Sequence, residues 1–496
     1  MPNVYEPAYK AFVPNRLFVA TRTCGKEVYD NTCTFLETGQ YKHFSEAPIG
    51  DTVARTIFGP WCRHTGMVYG KSEQNTAAAL YRLVNCRTGS VVLDDMYRLL
   101  QRSYKWENEW YEHYSEQLKL ILCDLISHDR WEWVDSCALS PHEKKKLREA
   151  ALNYLKDCGK YYKMQYSSRS VKAKLKLFEW MKPGKIPRNI VDFGCAASLL
   201  APWLPEMLKH AMEVEFDRDG VWSAYVPNPD VQRLTKMFER IINPEKAAFA
   251  YFSDDAVFSY RCADGVLRCN LDISSCDSSH THKPFSVFTR FYEGTEFKPL
   301  AKALVDQCKL PLVVDTGAVK LSFKGKTPTL YSGSTLTTVI NNIAVSAIGH
   351  NLVTRLSSSM TMKEVSDAIP MLALELGYVV TCEVCETPED LQFLKFSPCY
   401  GMFGLTSILN IGVVLRTLGQ CSGRLPGRNK VPLHDRAQAY MSGVIRGFIH
   451  AGDHDLMDIL KRKYDGNVKA IASSYVLRFT SGKTSRVPIE AVLRRY

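Results

Sequence analysis

The apolar run Ala247-Ala-Phe-Ala-Tyr-Phe252 is followed by the polar turn Ser253-Asp254-Asp255 and then by Ala256-Val-Phe-Ser-Tyr-Arg-Cys-Ala263. A second turn signal, Asp264-Gly265, precedes Val266-Leu-Arg-Cys-Asn-Leu-Asp272. Asp-Gly between two runs of alternating apolar residues is a strong hairpin signal. With Asp264 and Gly265 as the loop, Ala263 pairs with Val266, Val257 with Asp272, and Asp255 with Ser274. Asp272 then lies two strand positions from Asp255, and the Ser253–Asp255 turn forms a second hairpin tip aimed into the same space. The pattern predicts three adjacent strands that gather Asp254, Asp255 and Asp272 at one sheet edge.

Helical patterns flank these strands. Ser140, Pro141 and Glu143 supply an N-cap, a proline at the first helical position and a capping-box acid, and Gly159 follows the last apolar turn, which predicts a helix over 141–158. Apolar residues recur at helical spacing over 201–214, 230–242 and 365–377, and a further helix opens after Ser332-Gly333. Segments 442–450 and 456–463 give the C-terminal part a mostly helical character. Residues 1–139 are rich in aromatics and carry mixed signals that assign no element. No Pro/Gly/Ser linker or internal repeat divides the chain, so its lobes are expected to share one α+β fold.

A chain of 496 residues with 46% hydrophobic and 23% charged residues can bury a sizeable core in two to four lobes. The net charge of +11 is unevenly spread. Residues 160–188 hold nine Lys or Arg against the single acid Glu179, and residues 421–496 hold fourteen against six. Two basic segments around an acidic centre suit a polyanion gripped on both sides of a metal site, although a plain solvated basic face would give the same counts. The 16 cysteines include one close pair, Cys382 and Cys385, without a second pair or a His pair at zinc spacing, which points to reduced, mostly buried thiols. The longest apolar run, near Ile408–Leu418, is too short to span a bilayer, and the N-terminus has no secretory pattern.

Clustered carboxylates repel one another and take up protons unless a cation neutralises them. Mg²⁺ favours a few carboxylates together with waters and substrate phosphates. Acids at two solvent-exposed hairpin tips are the bland alternative. On the helix after Gly333, Thr337 and Asn341 are four apart and share a face, which could meet a nucleotide. Ser332 or Ser334 as a simple N-cap, with Asn341 a surface amide, is equally open at this point.

As a set, these segments resemble the palm motifs of viral RNA-dependent RNA polymerases. Asp272-Ile-Ser-Ser-Cys-Asp277 is similar to motif A, and the resemblance implies that Asp272 binds metal and Asp277 belongs to a ribose-selecting network. Ser332-Gly333-Ser-Thr-Leu-Thr337-Thr-Val-Ile-Asn341 is similar to motif B, with Asn341 implied to recognise the 2′-hydroxyl together with Asp277. Ser253-Asp254-Asp255 resembles motif C, with Ser in place of the more frequent Gly and Asp254 as the principal metal ligand. Lys182, Lys185 and Arg188 resemble the cationic motif F over the triphosphate. Val365–Gly377 with the following Tyr-Val-Val-Thr is similar to motif D, and Phe393-Leu-Lys395 to the primer-grip turn of motif E. The order C, A, B, D, E resembles the permuted polymerases of birnaviruses and permutotetraviruses. An Asp264-Gly265 hairpin joining motif C to motif A makes that permutation topologically easy.

The resemblance implies a right-hand polymerase with a ferredoxin-like antiparallel palm sheet. Its expected parts are an N-terminal extension and fingers over 1–165, fingers with motif F over 166–246, a palm over 247–400 with a fingers insertion near 280–330, and a thumb over 401–496. It further implies two Mg²⁺ or Mn²⁺ ions on Asp254, Asp255 and Asp272, NTP substrates, an RNA template and product duplex, and other viral replication proteins as partners. The implied setting is host cytoplasm, in a replication complex or a virion. Motif D in many relatives carries a lysine proposed as general acid, and residues 378–393 contain none. The competing readings are a catalytically inactive RNA-binding scaffold and a reverse transcriptase, which usually has a bulky aromatic gate where Asp277 and Asn341 stand. His450-Ala-Gly-Asp453-His454-Asp455 could be a metal site or a displaced motif C, but its flanks are helical in period and favour Asp453 as a cap.

Overall fold

The structure, a computed structural model, describes residues 17–22, 55–56, 79, 106–126, 134–135, 141–156, 170–176, 187–193, 201–227, 231–315, 320–325, 328–401, 404–409 and 420–421. The helices expected over 442–450 and 456–463, the His450–Asp455 segment, Lys182 and Lys185 lie outside the described residues.

The described part is a mixed α+β fold with largely antiparallel sheets. Strands β1 (Leu17–Arg22) and β2 (Arg55–Thr56) precede helices α1 (Trp106–Ile126) and α2 (Pro141–Lys156). Next come β3 (Val171–Leu175), β4 (Asn189–Asp192), α3 (Trp203–Ala211), β5 (Phe216–Arg218), β6 (Val221–Tyr225) and α4 (Val231–Ile242). The central strands follow as β7 (Ala247–Phe252), β8 (Asp255–Cys262) and β9 (Gly265–Ile273). They lead into α5 (Cys276–Ser279), α6 (Lys283–Phe291), α7 (Lys298–Gln307), β10 (Leu312–Asp315) and β11 (Lys320–Gly325). The remainder is α8 (Thr337–Arg355), α9 (Met362–Glu375), β12 (Val380–Val384), β13 (Phe396–Gly401), β14 (Gly404–Leu409) and β15 (Gln420–Cys421).

Six strands form the central sheet in the order β12-β9-β8-β7-β6-β5. Only β6 and β7 run parallel, joined by α4, whose apolar positions at Val231, Leu234, Met237, Phe238, Ile241 and Ile242 fall on one buried face. β7 and β8 are buried along almost their whole length, as strands covered on both faces must be. On one face Phe249, Tyr251, Phe258, Tyr260 and Leu271 join the main core with α8 and α9. On the other, the alternate positions Ala248, Ala250 and Val257 are buried on the side of α4. Arg268 donates from Nε and Nη2 to the last carbonyl of α4, Ile242 O, at 2.9 and 2.7 Å, which fixes α4 on that face. Asp255, Val257, Asn270 and Asp272 share this side, because successive strand residues alternate faces.

The hairpin register differs from the sequence-based count by two residues. Cys262 pairs with Gly265, so the loop is Ala263-Asp264, and Asp255 stands directly opposite Asp272 instead of Ser274. A type I′ Asp-Gly loop would need positive φ at both central residues, and neither Ala263 nor Asp264 has it. A tertiary contact takes over: Asp264 Oδ1 accepts from Met362 N (2.7 Å) at the first residue of α9, while Ala263 N donates to Met360 O (2.9 Å). The same helix start carries a capping box between Thr361 and Glu364.

A second sheet has the order β1-β11-β10-β3-β4 and draws strands from three distant stretches of chain. Its β4 edge touches the loop before α8, where Val191 N donates to Ser332 O at 2.8 Å. The sheet therefore positions Arg188 and its neighbours beside that loop.

Gly349 of α8 lies under Phe249, and a Cβ there would sit 2.5 Å from two ring carbons. Gly349→Ala should lower stability by about 1–3 kcal/mol through overpacking. The midpoint of urea unfolding reads the loss, and combining it with Phe249→Leu should recover part of it.

Candidate functional site

β7 and β8 are joined by Ser253 and Asp254, with Ser253 at φ +55°. That left-handed conformation is uncommon outside glycine. Two neighbouring amides of α8 hold it: Ser253 N donates to Asn342 Oδ1 (2.8 Å), and Asn341 Nδ2 donates to Ser253 Oγ (3.0 Å). The turn presents Asp254 to solvent beside the Asp255–Asp272 pair. Residues directly opposite in an antiparallel pair have Cβ atoms about 4.5–5.5 Å apart, so the two carboxylates share one small volume.

β12 extends this surface. Thr381 pairs with Asp272 and Glu383 with Asn270, so both fall on the carboxylate face. Asp254, Asp255, Asn270, Leu271, Asp272, Thr381, Glu383 and Gln392 line an open cleft of about 430 Å³. Its floor is tied to the chain before β13, because Asn270 Nδ2 donates to Asp390 O (3.1 Å) and Gln392 N donates to Asn270 Oδ1 (2.8 Å).

Leu394 and Lys395 have φ of +50° and +70°, consecutive left-handed residues in a tight turn between Phe393 and Phe396. Each such non-glycine residue costs on the order of 1–2 kcal/mol. Leu394 N donates to Asp255 Oδ2 at 2.8 Å, which ties the strained turn to the acid cluster and leaves Lys395 exposed at its tip. Burial pushes the Asp255 carboxyl up to about 6; the Leu394 N–H opposes that rise, while Asp254 and Asp272 add to it.

Next to this cluster, Asn341 Nδ2 donates to Asp277 Oδ1 at 2.9 Å. Burial raises Asp277 above the usual carboxylate range, the Asn341 bond lowers it, Asp254 raises it, and the Arg188 guanidinium lowers it. Arg188 is thus within electrostatic reach of Asp277. Ser332 and Gly333 are exposed in the loop between β11 and α8. Gly333 stands at φ +111°, and a Cβ there would lie 2.4 Å from Val191 O, so only glycine fits. Thr337 donates from Oγ1 to Ser334 O (2.9 Å) and Tyr331 O (3.2 Å), closing this loop on itself.

The structure therefore brings together Asp254, Asp255, Asp272, Asp277, Asn341 and Ser253, with Arg188, Ser332 and Gly333 alongside and Lys395 at a neighbouring turn. Sequence reasoning missed the Leu394 N–H, the paired amide Asn342, and the lining residues Thr381 and Glu383. Their alternation in β12 was the available signal for the last two. A larger groove of about 710 Å³ lies elsewhere, against α1, and contains His113, Arg218 and His350. Burial and His113 push His350 down to about 4, so that groove offers neutral imidazoles and no carboxylate cluster comparable to the Asp254 cleft.

Among the described residues, no group of three or more His, Cys, Asp or Glu side chains is gathered closely enough to hold a metal ion unaided. Nor does any cation form an ion pair with Asp254, Asp255 or Asp272 among the described residues. An all-oxygen acid set on an open cleft fits a hard divalent ion that brings its own waters and phosphate ligands, which is how Mg²⁺ is ordinarily held. It does not fit a closed protein cage. No protein-family model matches the chain, and no curated protein matches it.

The raised carboxyl of Asp255 has a consequence for stability. Its folded pKa of about 6 exceeds the ordinary 3.8, so its contribution is fully present below about pH 4 and is lost as pH rises through about 6. In metal-free buffer, Asp255→Asn should be more stable than the native protein by about 2–3 kcal/mol at neutral pH and show little difference near pH 4. Urea unfolding at the two pH values checks this, and added Mg²⁺ should narrow the gap by stabilising the native protein more than the variant.

Proposed function

We infer that the chain catalyses template-directed RNA synthesis from NTPs with release of pyrophosphate. The observation that carries this reading is the direct pairing of Asp255 with Asp272, with Asp254 in the adjoining turn and the Asp277–Asn341 pair beside them. Under this reading the six-stranded sheet is a polymerase palm with permuted motif order, the β3–β4 sheet belongs to the fingers, and the C-terminal residues form a thumb.

Asp254 and Asp272 would hold the metal ions, with Asp255 assisting. Two such ions lower the pKa of a 3′-hydroxyl and stabilise a departing pyrophosphate when bound. The protein's own groups do the rest. The Leu394 N–H keeps one oxygen of Asp255 committed, so the carboxylate is presented in one orientation. Arg188, with Lys182 and Lys185 of the same basic segment, would offset charge on the triphosphate. Ser332 and Gly333 present exposed backbone and hydroxyl groups at the edge of the nucleotide space. Lys395 on its strained turn would meet the primer backbone, and the basic C-terminal segment would meet product duplex phosphates, which makes affinity salt-dependent.

Extension of a primer on a defined RNA template with Mg²⁺ or Mn²⁺ tests the proposal. Template-dependent incorporation is expected from the native protein, with a loss of at least about a hundredfold in Asp254→Asn and in Asp272→Asn, the scale of removing one preorganised charge-stabilising group. Activity that survives Asp254→Asn would remove the β7–β8 turn from the site.

A further inference from the structure

Asn341 is 1% exposed, and its amide is saturated within the protein. Oδ1 accepts from His280 Nε2 at 2.6 Å and from Cys276 Sγ at 3.5 Å, while Nδ2 donates to Asp277 Oδ1 at 2.9 Å and to Ser253 Oγ at 3.0 Å. A side-chain amide has two donor protons and two acceptor lone pairs, so none is left for a ligand. Asp277 Oδ2, by contrast, accepts no hydrogen bond from a described residue, though the Arg188 guanidinium acts on the carboxylate electrostatically.

The identity of each donor follows from Asp277. An ionised carboxylate only accepts, so the NH₂ of Asn341 must face it and Oδ1 must face the other way. His280 Nε2 therefore carries a proton. Its other nitrogen, Nδ1, lies 2.9 Å from Tyr378 Oη, and in the neutral ring it accepts that hydroxyl's proton. His280 and Tyr378 are each 1% exposed, so water cannot substitute for either bond. The relay starts after α9, passes through the residue that follows α5, and ends on α8. Ser274 N, donating to Val379 O at 2.9 Å, clamps the Tyr378 segment to the chain entering α5.

We propose that His280 and Tyr378 are positioning residues that lock the Asn341 amide, so that Asp277 Oδ2 alone accepts the 2′-hydroxyl proton of the incoming nucleotide. This rests on the polymerase reading and changes the role of Asn341 from a direct contact to a support. A ribose 2′-hydroxyl satisfies Asp277 Oδ2, whereas a 2′-deoxyribose leaves a half-buried acceptor unpaired. That is the arrangement by which sites built to bind a hydroxyl reject analogues lacking it. Releasing the amide lets Asn341 rotate, and Asp277 loses its fixed orientation. The readout is therefore sugar discrimination rather than overall competence.

The test compares kcat/KM for ATP and 2′-deoxyATP, incorporated opposite a templating uridine by the native protein, Tyr378→Phe, His280→Phe and His280→Gln. Tyr378→Phe removes one oxygen and keeps the buried ring, so it decides the matter even where His280→Phe does not fold. The expected result is an ATP/2′-deoxyATP ratio lower by about three- to tenfold in Tyr378→Phe, through a raised KM for ATP. A larger drop is expected in His280→Phe, with partial recovery in His280→Gln, whose amide can donate to Asn341. Equal losses with both nucleotides and an unchanged ratio would overturn the inference and leave the polymerase reading intact. A native protein that incorporates neither nucleotide would overturn both.

Discussion

Everything at the site depends on the register of one hairpin. Placing Asp255 opposite Asp272 sets two carboxylates in a position where like charges are normally destabilising. The arrangement persists because β8 is buried on both faces and β9 buries one face, and slippage by one residue would exchange the Phe258 and Tyr260 face for the Val257 and Ser259 face. The register is pinned again at the far end, where Asp264 binds the first residue of α9. Repulsion among the acids is thus held in place by the core, and under the proposed function a divalent ion with bound phosphate would relieve it.

The site is completed by elements that converge on this hairpin from outside the sheet. Asn341 and Asn342 reach from α8 to hold Ser253 in a left-handed turn, and the Leu394-Lys395 turn spends backbone strain to bring one N–H to Asp255. Gly333 brings the loop before α8 against β4, and with it Arg188 comes within reach of Asp277. Each contact joins a strained or closely packed backbone position to a carboxylate or to the turn beside one.

Much of this was legible in the sequence where local chemistry and burial agree. The apolar runs around Asp254 and Asp255 are long enough to declare strands β7, β8 and β9, and the helices at Pro141–Lys156 and Val231–Ile242 fall where capping residues or apolar spacing put them, whereas the helix expected over 365–377 starts earlier, at Met362, behind its Thr361–Glu364 capping box. The register was misread because Asp-Gly has a strong local meaning that a distant contact with Met362 overrides. The His280–Tyr378 bond spans 98 residues, and the donor to Asp255 is a backbone N–H that any residue at 394 would supply, so neither leaves a mark in residue types. The pairing of Leu17–Arg22 with Lys320–Gly325 is of the same kind, a non-local ladder between stretches with no shared pattern.

The central claim is that the β7–β8 turn, the end of β9 and a divalent ion make one site. Replacing Mg²⁺ with Fe²⁺ and generating hydroxyl radicals at the bound ion, in the presence of primer–template RNA and a non-hydrolysable NTP, reads this directly through the positions of backbone cleavage. The account predicts cuts clustered at Ser253–Asp255 and at Leu271–Ile273 together, suppressed by excess Mg²⁺. Cleavage at only one of the two segments, or at neither, would contradict it.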